Sequence, residues 1–531
     1  MRGFGRATLP GVHLRQSVPN LMMRKGDVVA EIRKRTLLRH PLAAVGGAMV
    51  LAGGALFMIL MLVDLTSATE NPYRSLVTFI FAPFIVTVGA ILLLASIWVQ
   101  VHQARRRGES VRFTLSIDPS DPVYMKNLWL FLGLAAGLII IVIYSGTKAY
   151  DLTDSVRFCG ETCHLVMEPQ NVTYHNSPHA RVPCVECHIG PGASFWVKSK
   201  FDGLRQVYAT TFNTYSRPIE TPIRNLRPAQ ETCEECHWPQ QFYGDKLVTH
   251  TYYRTDDKNS PWTINLLVKI GGGNPRTGKL EGIHWHMIGP NKVQYIATDT
   301  KRRQIPWIRL ITPSGDTVVY TDPNGDVPNP DDPDVEIRNF DCMDCHNRPS
   351  HLFRPPAVAL NLALSTRAIS PDLPYIRKVG LDLLNAEYAT RDAAHAAIAS
   401  GLTTYYETEY PETAGPAKEK IGQAAQRLLE IYDDNFFPEM KTDYRARENH
   451  LSHFVGDGCF RCHDGVKQDK DGNTISHGCK TCHLIIAQGP SEDIQQLEGN
   501  LSGLDFTHPE DIDEAWREMK CTECHDRTSG Y

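Results

Sequence analysis

Cys159-Gly-Glu-Thr-Cys163-His164 and, soon after it, Cys184-Val-Glu-Cys187-His188 decide how this chain is read. Two cysteines with a histidine directly after the second form an attachment site for a c-type haem. The thiols make thioethers to the porphyrin vinyl groups, and the histidine reaches the iron from the same turn of chain. The pattern recurs as Cys233/Cys236/His237, Cys342/Cys345/His346, Cys459/Cys462/His463, Cys479/Cys482/His483 and Cys521/Cys524/His525, making seven sites that use all 14 cysteines. A disulfide framework would not put a histidine after every second cysteine, and paired zinc motifs carry no such trailing histidine. Only the first site departs, with three residues between its cysteines instead of two. It is counted with the others, because its histidine is in place and its cysteines have no other role. The sequence thus predicts seven covalently bound c-type haems, with His164, His188, His237, His346, His463, His483 and His525 as proximal iron ligands.

Upstream of these sites lie three uncharged apolar runs, Leu42–Val63, Ser75–Val101 and Asn127–Gly146, each long enough to span a bilayer. Pro83 interrupts the second, which a membrane helix tolerates. Ala44, Ala48 and Ala52 offer a small-residue face for packing. Residues 1–40 carry nine Lys/Arg against two acids, and Arg105, Arg106, Arg107 and Arg112 follow the second run. The loop Asp64–Arg74 has a single basic residue. The positive-inside rule then places the N-terminus in the cytoplasm and everything after Gly146 outside, in the periplasm of a bacterial inner membrane. Thioether attachment of haem occurs on that side, so two independent signals agree. The first run starts too far in, and is too long, for a cleaved signal peptide. No histidine lies inside a run, which argues against haem within the membrane. A net charge of −5 gives no reason to expect nucleic acid as a partner.

The stretch Phe158-Cys-Gly-Glu-Thr-Cys-His-Leu-Val-Met167-Glu-Pro, then His175-x-x-x-His179-Ala-Arg-Val-Pro-Cys-Val-Glu-Cys-His188, directly after a membrane segment, resembles the NapC/NirT family of membrane-anchored multihaem cytochromes. The resemblance covers about 125–240. Three spans and seven haem sites make the chain similar to the larger inner-membrane heptahaem cytochromes of metal-reducing bacteria, and that likeness continues through Gly282-Ile-His284-Trp-His286 and Ile305-Pro-Trp307. It implies a quinol dehydrogenase that takes electrons from menaquinol in the membrane pool and hands them to periplasmic c-type cytochromes in anaerobic or extracellular respiration. It also implies that the first haem can take a nearby methionine, so its axial ligand stays open between His164 and Met167. In the family a lysine and an aspartate after the second haem motif help form the quinol pocket. Lys198, Lys200 and Asp202 are the matching positions, with Lys148, Asp151 and Asp154 as second choices. Oxidising a quinol needs acceptors for two protons, which such residues supply.

The expected architecture is a multihaem cytochrome c: three transmembrane helices plus an irregular, mostly helical periplasmic part packed on haem, with a small antiparallel β insertion. In order, 1–40 is a basic cytoplasmic arm, 41–147 the membrane anchor and 148–240 a triple-haem domain. Residues 241–335 are the β-rich insertion, 336–455 the fourth haem site with a helical segment, and 456–531 a C-terminal triple-haem module. Within the insertion, Thr263–Gly271, Lys292–Asp299, Ile305–Thr312 and Thr317–Thr321 are β-branched or aromatic runs between turn residues. In the helical segment Ile421, Ala424, Ala425, Leu428, Leu429 and Tyr432 fall on one face and read as core.

Two histidines per iron close both axial positions and suit electron transfer. Among the histidines outside the motifs, His179, His250, His351, His453 and His508 each sit in a loop near a motif and are the expected distal ligands, with one of His284 and His286 as a sixth. On a strand, those two would face the same side. Two other functions compete. A terminal reductase of a small oxyanion would need an open iron, often marked by a lysine in place of a motif histidine, and no motif here has one. An electron-conduit subunit of a larger membrane complex would use the anchor without binding quinol.

Overall fold

The computed structural model describes residues 40–66, 72–107, 120, 122–162, 164–190, 193–223, 228–238, 242, 244–272, 282–287, 291–499 and 502–525. The basic arm and Arg112, read above as orienting signals, lie outside these residues. Contacts divide the chain into a unit up to Thr153 and a second from Asp154 to Tyr531.

The first unit is helical. α1 (Pro41–Thr66) is followed by α2 (Pro72–Leu76), a π turn (Val77–Phe81) and α3 (Ala82–Arg106), which run on as one rod, and then by α4 (Pro122–Asp154). The π turn falls just before Pro83, whose missing N–H cannot complete the regular ladder. Three stretches, Pro41–Val63, Tyr73–Gln103 and Leu128–Asp154, are helices long and apolar enough to cross a membrane. Leu51, Phe84, Leu94, Trp98, Trp129 and Ile140 stand exposed on them, as lipid-facing side chains would.

α1 and α3 pack closely, but not through the expected alanine face. Ala44, Ala48 and Ala52 are exposed, whereas Gly46, Gly53 and Phe57 are buried. A Cβ on Gly46 would lie 2.7 Å from the Gly89 carbonyl, and one on Gly53 would lie 2.9 Å from the Val86 side chain. Backbones this close exclude even alanine, so glycine sets the interface.

The second unit opens with short helices that carry or flank the first four haem motifs. They are α5 (Val156–Glu161), α6 (His164–His175), α7 (Cys184–His188), α8 (Ala193–Thr211), α9 (Ala229–Cys233) and α10 (Cys342–Cys345). Its one large apolar core is built by α11 (Pro356–Ser365), α12 (Ile376–Asn385), α13 (Arg391–Glu409), α14 (Pro411–Ala414) and α15 (Lys418–Asn435). The last motif forms α16 (Cys521–Cys524). Ile421, Ala424, Leu428 and Tyr432 are buried in the core, with Ala425 and Leu429 packed against it. Thr390 caps α13 by accepting from the Ala393 N–H. Leu428 is fully buried. Leu428→Ala is therefore expected to cost about 2–5 kcal/mol, read as a lower denaturant midpoint of the helical segment with the haem spectrum unchanged.

The strands form two sheets rather than the one expected. β3 (Lys292–Ile296), β4 (Trp307–Ile311), β5 (Thr317–Thr321) and β6 (Arg338–Asn339) make one, in the order β5-β4-β3-β6. The other is β1 (Lys246–Tyr253), β2 (Pro261–Val268), β7 (His483–Pro490) and β8 (Gln495–Gln496), also antiparallel. Its first two strands come from the insertion and its last two from the C-terminal segment. β7 begins at a motif histidine, so the haem signal masked the strand signal there.

Candidate functional site

The haem motifs close tight turns. The N–H groups of His237, His346, His463 and His525 donate to the carbonyl of the first cysteine of their own motif, at 2.8, 2.8, 2.9 and 2.8 Å. That places two thiols and an imidazole on consecutive points of one turn, as thioether attachment with axial ligation requires. The Asp341 side chain caps α10 by accepting from Met343, and Pro183 leads into α7.

Six of the motif histidines face a second histidine. Ring centres are 6.2 Å apart for His188 and His351, 6.0 Å for His179 and His237, and 6.3 Å for His284 and His346. They are 5.9 Å apart for His286 and His463, 6.5 Å for His453 and His483, and 6.0 Å for His508 and His525. A metal bound by two opposed imidazoles needs about 2 Å of bond and about 1 Å from nitrogen to ring centre on each side, or about 6 Å in all. The six gaps fit an iron.

The tautomers fit as well. Nδ1 of His179, His351, His284 and His286 lies 3.1, 3.1, 2.5 and 2.7 Å from the carbonyls of Pro349, Gln170, Ile270 and Ile283. A carbonyl only accepts, so each Nδ1 carries the proton and Nε2 is left with its lone pair for a metal. Burial holds His188, His286, His346, His453 and His525 below the usual histidine pKa, and His351 and His483 down to about 4. Burial thus biases all seven toward the neutral form, the one able to ligate a metal.

Two expectations change. His284 and His286 both find a motif partner, because Ile283–His286 is a 3-10 turn and not a strand. With about three residues per turn, side chains two apart point in different directions. His250, in contrast, lies on β1 with its ring stacked on Tyr252 at 6.0 Å, and no motif imidazole faces it among the described residues. His250→Ala is expected to leave haem content and the low-spin spectrum unchanged; a new high-spin signal would restore it to the ligand set. The motif thiols, finally, are not all enclosed by the protein. Cys524, at the end of α16, is exposed, as are Cys187, Cys236 and Cys479, while Cys521 is half-buried. At the last motif, the turn that carries Cys524 is closed by the His525 N–H on the Cys521 carbonyl at 2.8 Å. Met167 is half-buried on α6. Cys163 and the side chain of His164 lie outside the described residues, so the first site is described by Cys159 alone.

Cysteines of neighbouring motifs also meet. Cys159 lies beside Cys184, Cys233 beside Cys342, and Cys459 beside Cys482. Cys187 and Cys236, Cys345 and Cys459, and Cys479 and Cys521 are close enough to feel each other's charge. These six proximities follow the seven motifs one after another in chain order.

Around Cys159 lie the candidate proton-handling groups. Lys200 on α8 is ion-paired with Asp154 at 2.9 Å, both half-buried, and the charges of both act on Cys159. Lys198 is exposed and Asp202 half-buried on the same helix. Lys148 and Asp151, 3.9 Å apart and exposed, belong to the other unit. Asp154, a second choice from sequence, is the carboxylate the structure brings to Lys200.

Sequence reasoning missed a buried network between the fourth and fifth motifs. Asp344 accepts from the Tyr295 hydroxyl and, at 2.9 Å, from Arg302. Arg461 donates to the carbonyls of Asp344, Arg302 and Gly458. The only signal was a charged residue inside each Cys-x-x-Cys, and charge there is ordinarily solvated. Here every buried charge has partners, as its burial demands.

The comparisons agree with this geometry. A model of the NapC/NirT cytochrome c family, N-terminal region, matches residues 122–224. The cytochrome c-type protein ImcH of Geobacter sulfurreducens is 38% identical over 490 residues, covering 92% of this chain and 95% of that protein. The cytochrome c-type protein NrfH of Wolinella succinogenes is 32% identical over 107 residues, 20% of this chain and 59% of that protein. No solved structure matches the chain. With the haem motifs, the apolar helices and a full-length relative in agreement, the chain belongs to the NapC/NirT cytochrome c family, a c-type electron-transfer cytochrome carrying covalently bound haem on a membrane anchor.

Proposed function

We propose that this cytochrome is a heptahaem menaquinol dehydrogenase of the inner membrane, with its haem-bearing part in the periplasm. When bound, the haems supply one-electron carriers whose closed axial sites favour relay over substrate binding. The chain's own residues do the rest. Six histidine pairs, His188/His351, His179/His237, His284/His346, His286/His463, His453/His483 and His508/His525, would hold six haem irons, while Cys159, Cys163 and His164 would hold the first haem, with Met167 as the alternative ligand. Lys200 positions a quinol hydroxyl beside the first motif, and Asp154 and Asp202 take its protons and pass them to water. Lys198, more exposed, guides the headgroup in. The order of motif contacts supports a path from the first motif to the seventh, where a periplasmic c-type cytochrome collects the electrons.

The observation that carries the reading is the six histidine pairs at 5.9–6.5 Å. It supports a relay over a terminal reductase, because an iron held by such a pair would have no site left for substrate. The test is reduction of the purified, haem-loaded protein by a menaquinol analogue, followed by haem absorbance. Reduction of all seven haems is expected. Reduction by dithionite but not by quinol would leave only the conduit reading. Binding of nitrite or hydroxylamine to a high-spin haem would favour the reductase.

A further inference from the structure

Helix α8 is inside out. Helices of soluble domains bury their large apolar residues and expose their charges. On α8, Val197, Phe201, Leu204 and Tyr208, with Phe212 just beyond its end, are 47%, 70%, 66%, 60% and 63% exposed. Their spacing of three and four residues puts them on a single stripe. Ser199, Gly203 and Thr210 lie on the opposite side and are half-buried. At about 100° per residue, Lys198 and Arg205 border the stripe, and both are exposed. A contiguous apolar strip of this length is not left in water without a partner.

We propose that α8 lies flat in the bilayer surface, its apolar stripe sunk to the level of the upper acyl chains and Lys198 and Arg205 on the phosphates of anionic lipids. The pattern of an aromatic-rich apolar face edged by basic residues is that of an interfacial helix. The same chain carries three helices able to cross a membrane. Lys200 on α8 is ion-paired at 2.9 Å with Asp154, the residue that opens the second unit. The basic border favours a lipid surface over a second copy of this chain, because phosphate headgroups supply the opposite charge. The consequence deepens the quinol reading and rests on it only in part. Lys200 and Asp202 flank the submerged stripe, so a quinol leaving the lipid meets them before it meets water.

The test uses the full, haem-loaded protein in vesicles containing a phospholipid with a photoreactive diazirine in its acyl chain. Lipid adducts are expected on residues 195–212 as well as on the three spans, which serve as the internal standard. Adducts on 195–212 should rise several-fold when phosphatidylglycerol is added to phosphatidylcholine, and Arg205→Gln should blunt that rise. Phe201→Glu with Leu204→Glu should remove the helix adducts and keep those on the spans. Adducts on the spans with none on 195–212 would overturn the proposal. Photolabelling needs no turnover, so it reports membrane contact even if quinol oxidation fails.

Discussion

Replacing His351 with alanine is expected to turn one low-spin haem into a high-spin haem and to slow quinol-to-acceptor electron transfer at least about tenfold. His351 faces His188 at 6.2 Å, and its Nδ1 proton is committed to the Gln170 carbonyl, so Nε2 is the one nitrogen left for the metal. Removing the ring opens an axial position but leaves Cys184 and Cys187, so the count of attached haems should stay at seven. The site is early in the series, since Cys159 meets Cys184 on one side and Cys187 meets Cys236 on the other. A fault there separates the first motif from the other five beyond it. Electron paramagnetic resonance of the oxidised variant and carbon monoxide binding to the reduced one read the opened site. A fully low-spin spectrum would remove His351 from the ligand set.

The second large effect is expected from the pair at the first motif. Asp154→Asn with Lys200→Gln removes both the proton acceptor and its cationic partner while keeping shape. General acid–base groups contribute about 10²–10⁴ in rate, and a loss in that range is expected for menaquinol-driven haem reduction. Reduction by dithionite should not change, because it needs no proton-accepting pocket. Each single variant should be partly active, and Asp202→Asn tests whether the proton has a second exit. Unchanged quinol kinetics in the double variant would move the quinol site elsewhere.

The haem motifs, the apolar runs and the family were legible in the sequence because each is a local signal: a turn of five or six residues, or an uninterrupted stretch without charge. The stripe of Ile421, Ala424, Leu428 and Tyr432 was legible for the same reason, as a period within one helix. What failed was reasoning that needed the path of the chain. His250 lies near a motif in sequence, yet it sits on β1 stacked on Tyr252. β7 was hidden because its first residue, His483, had already been assigned to a haem. Ala44, Ala48 and Ala52 had the right spacing, but Gly46 and Gly53 let the backbones come closer. Burial was equally out of reach: Cys521 and Cys524 belong to one motif, yet the first is half-buried and the second exposed.

By itself, then, the sequence determined the family and the places of the haem motifs along the chain, since each motif is completed within a single turn. Only the tertiary structure decided which histidine stands across from which. His286 and His463, or His179 and His237, are distant in the chain, and their 5.9 and 6.0 Å separations come from the packing of sheets and turns between them. A second axial ligand is a long-range contact, and no local pattern encodes its partner.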